Sequence, residues 1–197
     1  DTGEATAAPT PLTFTNGNWN TPQTITITGV DDDLVDGSQT TTITASIQDA
    51  NSDDSFDSLA DQTVSVSTTD NDTAGFTVAQ SGGSTTVAET GSTDTFTVVL
   101  NAQPASNVVI SVVSSDTGEA TVSAGTLTFT NGNWDTPQTV TITGVDDDLV
   151  DGSQTTTTTL SVVDASSDND FDGVADQTVS IETTDDDSVG FTLVESG

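Results

Sequence analysis

Along most of this chain, apolar residues alternate with threonine and serine in short runs. Val140 and Ile142 sit between Thr139, Thr141 and Thr143. The segment therefore presents one apolar face and one hydroxyl-bearing face, as a half-buried β-strand does. Across residues 76–190 the pattern predicts seven strands. The first, Phe76–Glu89, comes in two pieces broken at Ser81-Gly82-Gly83. It is followed by Asp94–Asn101, Asn107–Val113, Thr126–Thr130 with Leu127 and Phe129 inward, Thr136–Thr143, Ser153–Val163, and Gln177–Thr184 with Val179 and Ile181 inward. Gly, Asn, Asp and Pro separate these runs. Seven short strands punctuated in this way predict an all-β chain folded as an antiparallel β-sandwich.

The pattern repeats. Asp1-Thr-Gly-Glu-Ala-Thr6 returns as Asp116-Thr-Gly-Glu-Ala-Thr121, a shift of 116 − 1 = 115 residues. With residues 1–82 set against 116–197, 58 positions are identical, and Thr26–Thr42 reproduces Thr141–Thr157 without a change. This is a tandem array of a domain-sized unit, not a solenoid of short repeats. The organisation expected is the last four strands of one unit in 1–75, a complete unit in 76–190, and the first strand of the next in 191–197. Residues 1–75 then lack three strands, and Phe14, Ile25, Ile27, Ile43, Ile47, Val64 and Val66 are expected on an open core with unpaired edges. Two arrangements would close it. Neighbouring residues of a longer covalent array could supply the missing strands. Alternatively, one chain's residues 190–197 could add as a strand to the next chain's 1–75, a head-to-tail contact that builds a filament. In both, the expected partner is another copy of the unit.

Composition narrows the function. The chain has no Lys, Arg, His, Cys or Met, and its 32 acidic residues give a formal charge of −32. Nothing can neutralise phosphate, which argues against nucleic acid and against anionic membrane surfaces. No apolar run approaches the roughly 20 residues that span a bilayer, and no signal-peptide pattern is present, so the segment is expected to be soluble or cut from something longer. Without His, Lys, Cys, Arg or Tyr, only Ser or Thr beside a carboxylate could form a nucleophile–base pair. No aromatic cleft accompanies the paired acids. The chain is therefore not expected to be an enzyme. Such acidity would suit a disordered tail, but the carboxylates cluster in loops between cleanly alternating segments. With no internal cation, solvent ions must balance them, and hard divalent cations prefer oxygen ligands.

The placement of the acids adds to this. In a seven-stranded antiparallel unit, alternate connections share one pole. Glu89 closes the first strand, Asp116 and Glu119 lie between the third and fourth, and Asp146, Asp147, Asp148 and Asp151 lie between the fifth and sixth. Asp185, Asp186 and Asp187 follow the seventh. All fall at one pole, where the next unit begins, and chance would scatter them over both. A multidentate Ca²⁺ site at that junction is expected, against the plainer reading of solvated acid loops. The first copy repeats it with Asp31, Asp32, Asp36, Asp70 and Asp72.

The opposite pole carries its own acidic loop. Asp168, Asp170, Asp172 and Asp176 fall in D-x-D-x-D-G-x-x-D, a spacing that can wrap one Ca²⁺ like the first half of an EF-hand loop. The EF-hand's twelfth-position Glu is absent, and the loop looks more like those of thrombospondin type 3 repeats. The copy at 53–61 is weaker, with Ser58 in place of the Gly. An acidic hairpin loop is the plain alternative. Trp19 and Trp134, each in Asn-Gly-Asn-Trp before Thr-Pro, are either core-capping residues or a carbohydrate-binding surface.

The residues resemble the Calx-beta family, found in sodium/calcium exchangers, integrin β4 and long bacterial surface proteins. The resemblance rests on Val87-Ala-Glu89, Val145-Asp-Asp-Asp-Leu-Val-Asp151 and Thr184-Asp-Asp-Asp187, and it covers the whole unit. It implies a seven-stranded immunoglobulin-like sandwich with Ca²⁺ at the far pole, held by Glu89, Asp116, Asp146, Asp147, Asp151, Asp185 and Asp187. The thrombospondin-like loop departs from it, as does Asn71 where the second copy has Asp186. The near-identical repeats look most like extender arrays of bacterial adhesins and extracellular fibres. The function expected is therefore a Ca²⁺-stiffened structural repeat, secreted or on a bacterial cell surface, acting as a spacer or filament block. The alternative is a Ca²⁺-dependent carbohydrate- or surface-binding module.

Overall fold

A computed structural model describes residues 1–195. Two compact units divide the chain, Asp1–Asn71 and Asp72–Gly197. The structure is all-β, with only short 3-10 turns between strands.

In the second unit, nine strands form two sheets. They are numbered here after four strands of the first unit: β5 (Phe76–Gln80), β6 (Thr85–Ala88), β7 (Thr93–Leu100), β8 (Val108–Ser114), β9 (Ala120–Val122), β10 (Thr126–Phe129), β11 (Gln138–Gly144), β12 (Gln154–Val162) and β13 (Gln177–Thr184). One sheet runs β10-β8-β12-β13-β6 and the other β5-β7-β11-β9. Alternation sets which side chains turn inward. Phe96, Val98 and Leu100 of β7 are buried, as are Val108, Ile110 and Val112 of β8 and Val179 and Ile181 of β13. Thr156 and Thr158 of β12 are buried among them.

The predicted break in the first strand is a change of sheet. β5 pairs antiparallel with β7, while β6 pairs parallel with β13 in the opposite sheet. Gly82 and Gly83 between them adopt φ of 64° and 84°, a left-handed conformation that glycine reaches without a Cβ clash. Seven strands are predicted for this unit, and its described residues form nine. One extra comes from that split and the other is β9. β9 is three residues long, too short for alternation to mark it, and exists because β11 offers it an open edge.

The first unit contains β1 (Ala5–Ala8) paired with β2 (Thr26–Gly29), and β3 (Gln39–Ala45) paired with β4 (Gln62–Thr68). Its registers reproduce those of the second unit: Ala5 faces Gly29 as Ala120 faces Gly144, and Gln39 faces Thr68 as Gln154 faces Thr183. The differences follow the missing strands. Residues 11–14 form no strand, although Leu12, Thr13 and Phe14 repeat Leu127, Thr128 and Phe129 of β10. β10 is held only by β8, and the first unit has no β8. Phe14 is 54% exposed where Phe129 is fully buried, and Val64 is 57% exposed where Val179 is buried. Ile47 is exposed, and Ile25, Ile27, Ile43 and Val66 are half-buried.

Candidate metal centre

Four chain segments are tied together at one end of the second unit by their backbones. The Glu89 N–H donates to the Thr184 carbonyl at 3.1 Å, Gly144 N–H to Ser92 at 3.1 Å, and Val145 N–H to Glu119 at 2.9 Å. The Thr183 hydroxyl also reaches the Glu119 carbonyl, at 3.4 Å. The approach of β11 to the end of β6 requires Gly144: a Cβ there would lie 2.1 Å from the Ala88 carbonyl oxygen. This close crossing sets Glu89 beside the 146–151 loop.

Glu89, Asp147 and Asp187 converge there, each offering a carboxylate oxygen within 4.8 Å of the others. Among the described residues no other group of three acids comes this close. A Ca²⁺–oxygen bond is about 2.4 Å, so oxygens on opposite sides of one ion stand about 4.8 Å apart. Glu89 is 1% exposed, and Asp147 and Asp187 are half-buried. Glu89 Oε2 and Asp187 Oδ2 are buried without a hydrogen-bond partner. Burying a carboxylate oxygen unpaired is costly, and a bound cation would remove that cost, so the donor set fits a hard divalent ion.

The electrostatics agree. Burial pushes the Glu89 carboxyl above the ordinary range, and the charges of Asp185, Asp147, Asp151 and Glu119 push it further. Burial likewise raises Asp187, with help from Asp185, Asp186, Asp148 and Asp146. The rest of the pole frames the loops. Asp147 Oδ1 accepts from Leu149 N–H at 2.6 Å. Asp185 accepts from Gly152 and Asp187 N–H, both at 2.7 Å. Asp116 accepts from Gly118 N–H at 2.9 Å. Asp146, Asp148 and Asp151 are exposed.

Glu119 is the residue that the ligand set drawn from the sequence omits. Its Oε2 is buried without a partner, and its carboxyl is raised by burial and then by Asp151, Asp147 and Asp116. The signal was present, since Glu119 lies at the acidic pole and returns as Glu4. Without β9, however, it looks like one more loop acid. In the first unit the scaffold recurs. Asp32 accepts from Leu34 N–H at 2.9 Å, and Asp70 accepts from Gly37 N–H at 2.8 Å and Asp36 N–H at 3.1 Å. Glu4 is raised by burial, Asp36 and Asp32. Asp31 is exposed and Asp72 half-buried. Glu89 has no counterpart among residues 1–71.

The opposite loop does not gather its acids. Asp168 is 6% exposed and serves as a local cap. Its Oδ2 accepts from Ser106 N–H at 2.7 Å and the Ser106 hydroxyl at 3.2 Å, and its Oδ1 accepts from Asp170 N–H at 3.2 Å. Asp170, Asp172 and Asp176 are exposed, around Phe171, which is fully buried. Trp134 is half-buried and its carbonyl accepts from Leu100 N–H. Trp19 is 71% exposed.

No protein-family model matches the chain, nor does any curated protein. Among solved structures, the apo-form Calx CBD1 domain aligns with a TM-score of 0.41 at 19% identity, over 57% of this chain and 98% of that one. Domains 4 and 5 of the S-layer protein SbsC align with a TM-score of 0.42 at 20% identity, over 81% of this chain and 62% of that one. The E. coli chaperone DraB aligns with a TM-score of 0.41 at 6% identity, over 59% of each. At these TM-scores the likeness assigns neither a ligand nor a role.

Proposed function

We propose that this chain is a structural repeat of an extracellular or cell-surface protein, stiffened by Ca²⁺ at the acidic pole of each unit. The observation that carries the reading is the convergence of Glu89, Asp147 and Asp187 around buried oxygens that no protein donor satisfies. Those three residues and Glu119 would hold the ion, with Asp151 and Asp116 beside them. An ion there would draw together loops that otherwise repel, which is the work of a spacer under load.

Apolar positions covered in the second unit stand exposed in the first, among them Phe14 and Val64. A neighbouring copy of the unit would cover them, either on the same chain or, through residues 190–197, on another. Denaturing electrophoresis after chelation separates these. A ladder or a band near 20 kDa supports strand addition, and material that stays very large supports a covalent array.

The test of the ion is a thermal melt with calorimetric titration. Ca²⁺ at about 100 times its dissociation constant adds about 2.7 kcal/mol per site, worth roughly 10 °C for a unit of this size. A large fall in melting temperature in EDTA, restored by Ca²⁺ and little by Mg²⁺, is expected. An unchanged melt in EDTA overturns the reading.

A further inference from the structure

Asn71 is the only asparagine in the chain followed by x-Ser/Thr, in Asn71-Asp72-Thr73. The second copy has Asp186-Asp187-Ser188 at the same place, so the motif depends on the change from Asp to Asn. We propose that Asn71 is an N-glycosylation site, taking an oligosaccharide on its side-chain amide. The proposal rests on the extracellular reading above, because the transfer occurs on the far side of a membrane.

The structure supplies what the motif alone lacks. Residues 69–75 form neither helix nor strand, so the backbone can enter a transferase without breaking a sheet. Along this stretch burial alternates: Asp70 is half-buried, Asn71 exposed, Asp72 half-buried and Thr73 exposed. Asn71 and Thr73, the acceptor amide and the hydroxyl of the motif, are therefore both open to solvent. Asp185, Asp186 and Asp187 follow the same alternation. A bulky, solubilising group can therefore stand on residue 71.

The chemistry balances with a lipid-diphosphate-linked oligosaccharide as donor. The Asn71 Nδ2 atom bonds to the sugar's C1 as the bond from C1 to the phosphate oxygen breaks. The lipid diphosphate leaves with that electron pair, and the amide proton passes to a base of the transferase. The Thr73 hydroxyl is the group the transferase reads.

The test is peptide mass spectrometry on the protein from its native source, with fragmentation that keeps glycans attached. Elastase is suitable, since the chain has no Lys or Arg for trypsin. The expected result is an added oligosaccharide mass on the peptide containing residue 71. In the native host, Asn71→Gln and Thr73→Ala should both lose it, while Thr73→Ser keeps it and Ca²⁺ affinity is unchanged in all three. An unmodified Asn71 overturns the proposal, as does modification that survives Thr73→Ala. Protease shaving of intact cells tells the two failures apart. A shaved but unmodified protein refutes the glycan alone, and a protein protected inside the cell refutes the extracellular reading with it.

Discussion

At the scale of residues, Glu89 is the most deeply buried carboxylate of the acidic pole. It is buried, bears an oxygen with no partner, and has four other carboxylates acting on it. Glu89→Gln keeps the shape and removes the charge. Ca²⁺ affinity should fall by more than about tenfold, because site charge sets affinity in such cages. In EDTA the same variant should melt no lower than the parent. Isothermal titration and a melt check both, and unchanged affinity would remove Glu89 from the site. pH gives a second test. Glu89, Asp187 and Glu119 are all raised by burial and neighbouring charge. The folded ion-free protein therefore binds more protons than the unfolded chain between the ordinary carboxylate range and the raised values. Stability without Ca²⁺ should fall as pH rises through that window, and be greater at mildly acid pH than at neutrality. With Ca²⁺ the slope should reverse, since the ion needs the ionised carboxylates. Melts against pH with and without EDTA should converge at low pH; parallel curves would count against the site.

At the scale of elements, the crossing of β11 over the end of β6 makes the pole. Gly144→Ala puts a Cβ into the Ala88 carbonyl and should cost about 1–3 kcal/mol, while also weakening Ca²⁺ binding. Gly29 is its counterpart in the first unit, where the nearest atom to an added Cβ is Thr68 Cγ2 at 3.5 Å. Gly29→Ala should be tolerated, and denaturant unfolding of the two variants gives the comparison. At the other pole, Asp168→Ala strips the acceptor from Ser106 N–H and from the turn at Asp170. A loss of about 1–3 kcal/mol is expected with Ca²⁺ stoichiometry unchanged. A lost equivalent of Ca²⁺ would instead make 168–176 an ion loop.

At the scale of the whole molecule, two copies of nearly one sequence sit in different surroundings. Phe171 is fully buried and its counterpart Phe56 is 53% exposed. Phe171→Ala should therefore cost about 3–5 kcal/mol, and Phe56→Ala much less in the isolated chain. If units complete one another in series, both substitutions should cost alike in assembled material. Hydrogen exchange of the isolated chain and of the assembly would show this, and a Phe56 that stays indifferent in both would argue against completion by a neighbour.

The alternation of apolar and hydroxyl residues determined most of the strands of the second unit by itself, because the two-residue period of a strand is written in the local sequence. It located the break at Ser81-Gly82-Gly83, since consecutive glycines permit backbone angles that other residues resist. The 115-residue shift exposed the repeat, and with it the shared registers of the two units. Chain order placed Glu89, the 146–151 loop and the 185–187 run at one pole. Only the tertiary structure decided the rest. β9 and the absence of a strand at 11–14 depend on which partners are present, and a partner is not a local property. Asp147 and Asp187 were separated from a crowd of acids by the distance of their carboxylate oxygens from Glu89. Glu119 was singled out by a buried oxygen without a partner, and Asp168 received its hydrogen-bond donors from Ser106 and Asp170. Burial and distance are set where loops from distant parts of the chain meet, and no period or spacing along the sequence records them.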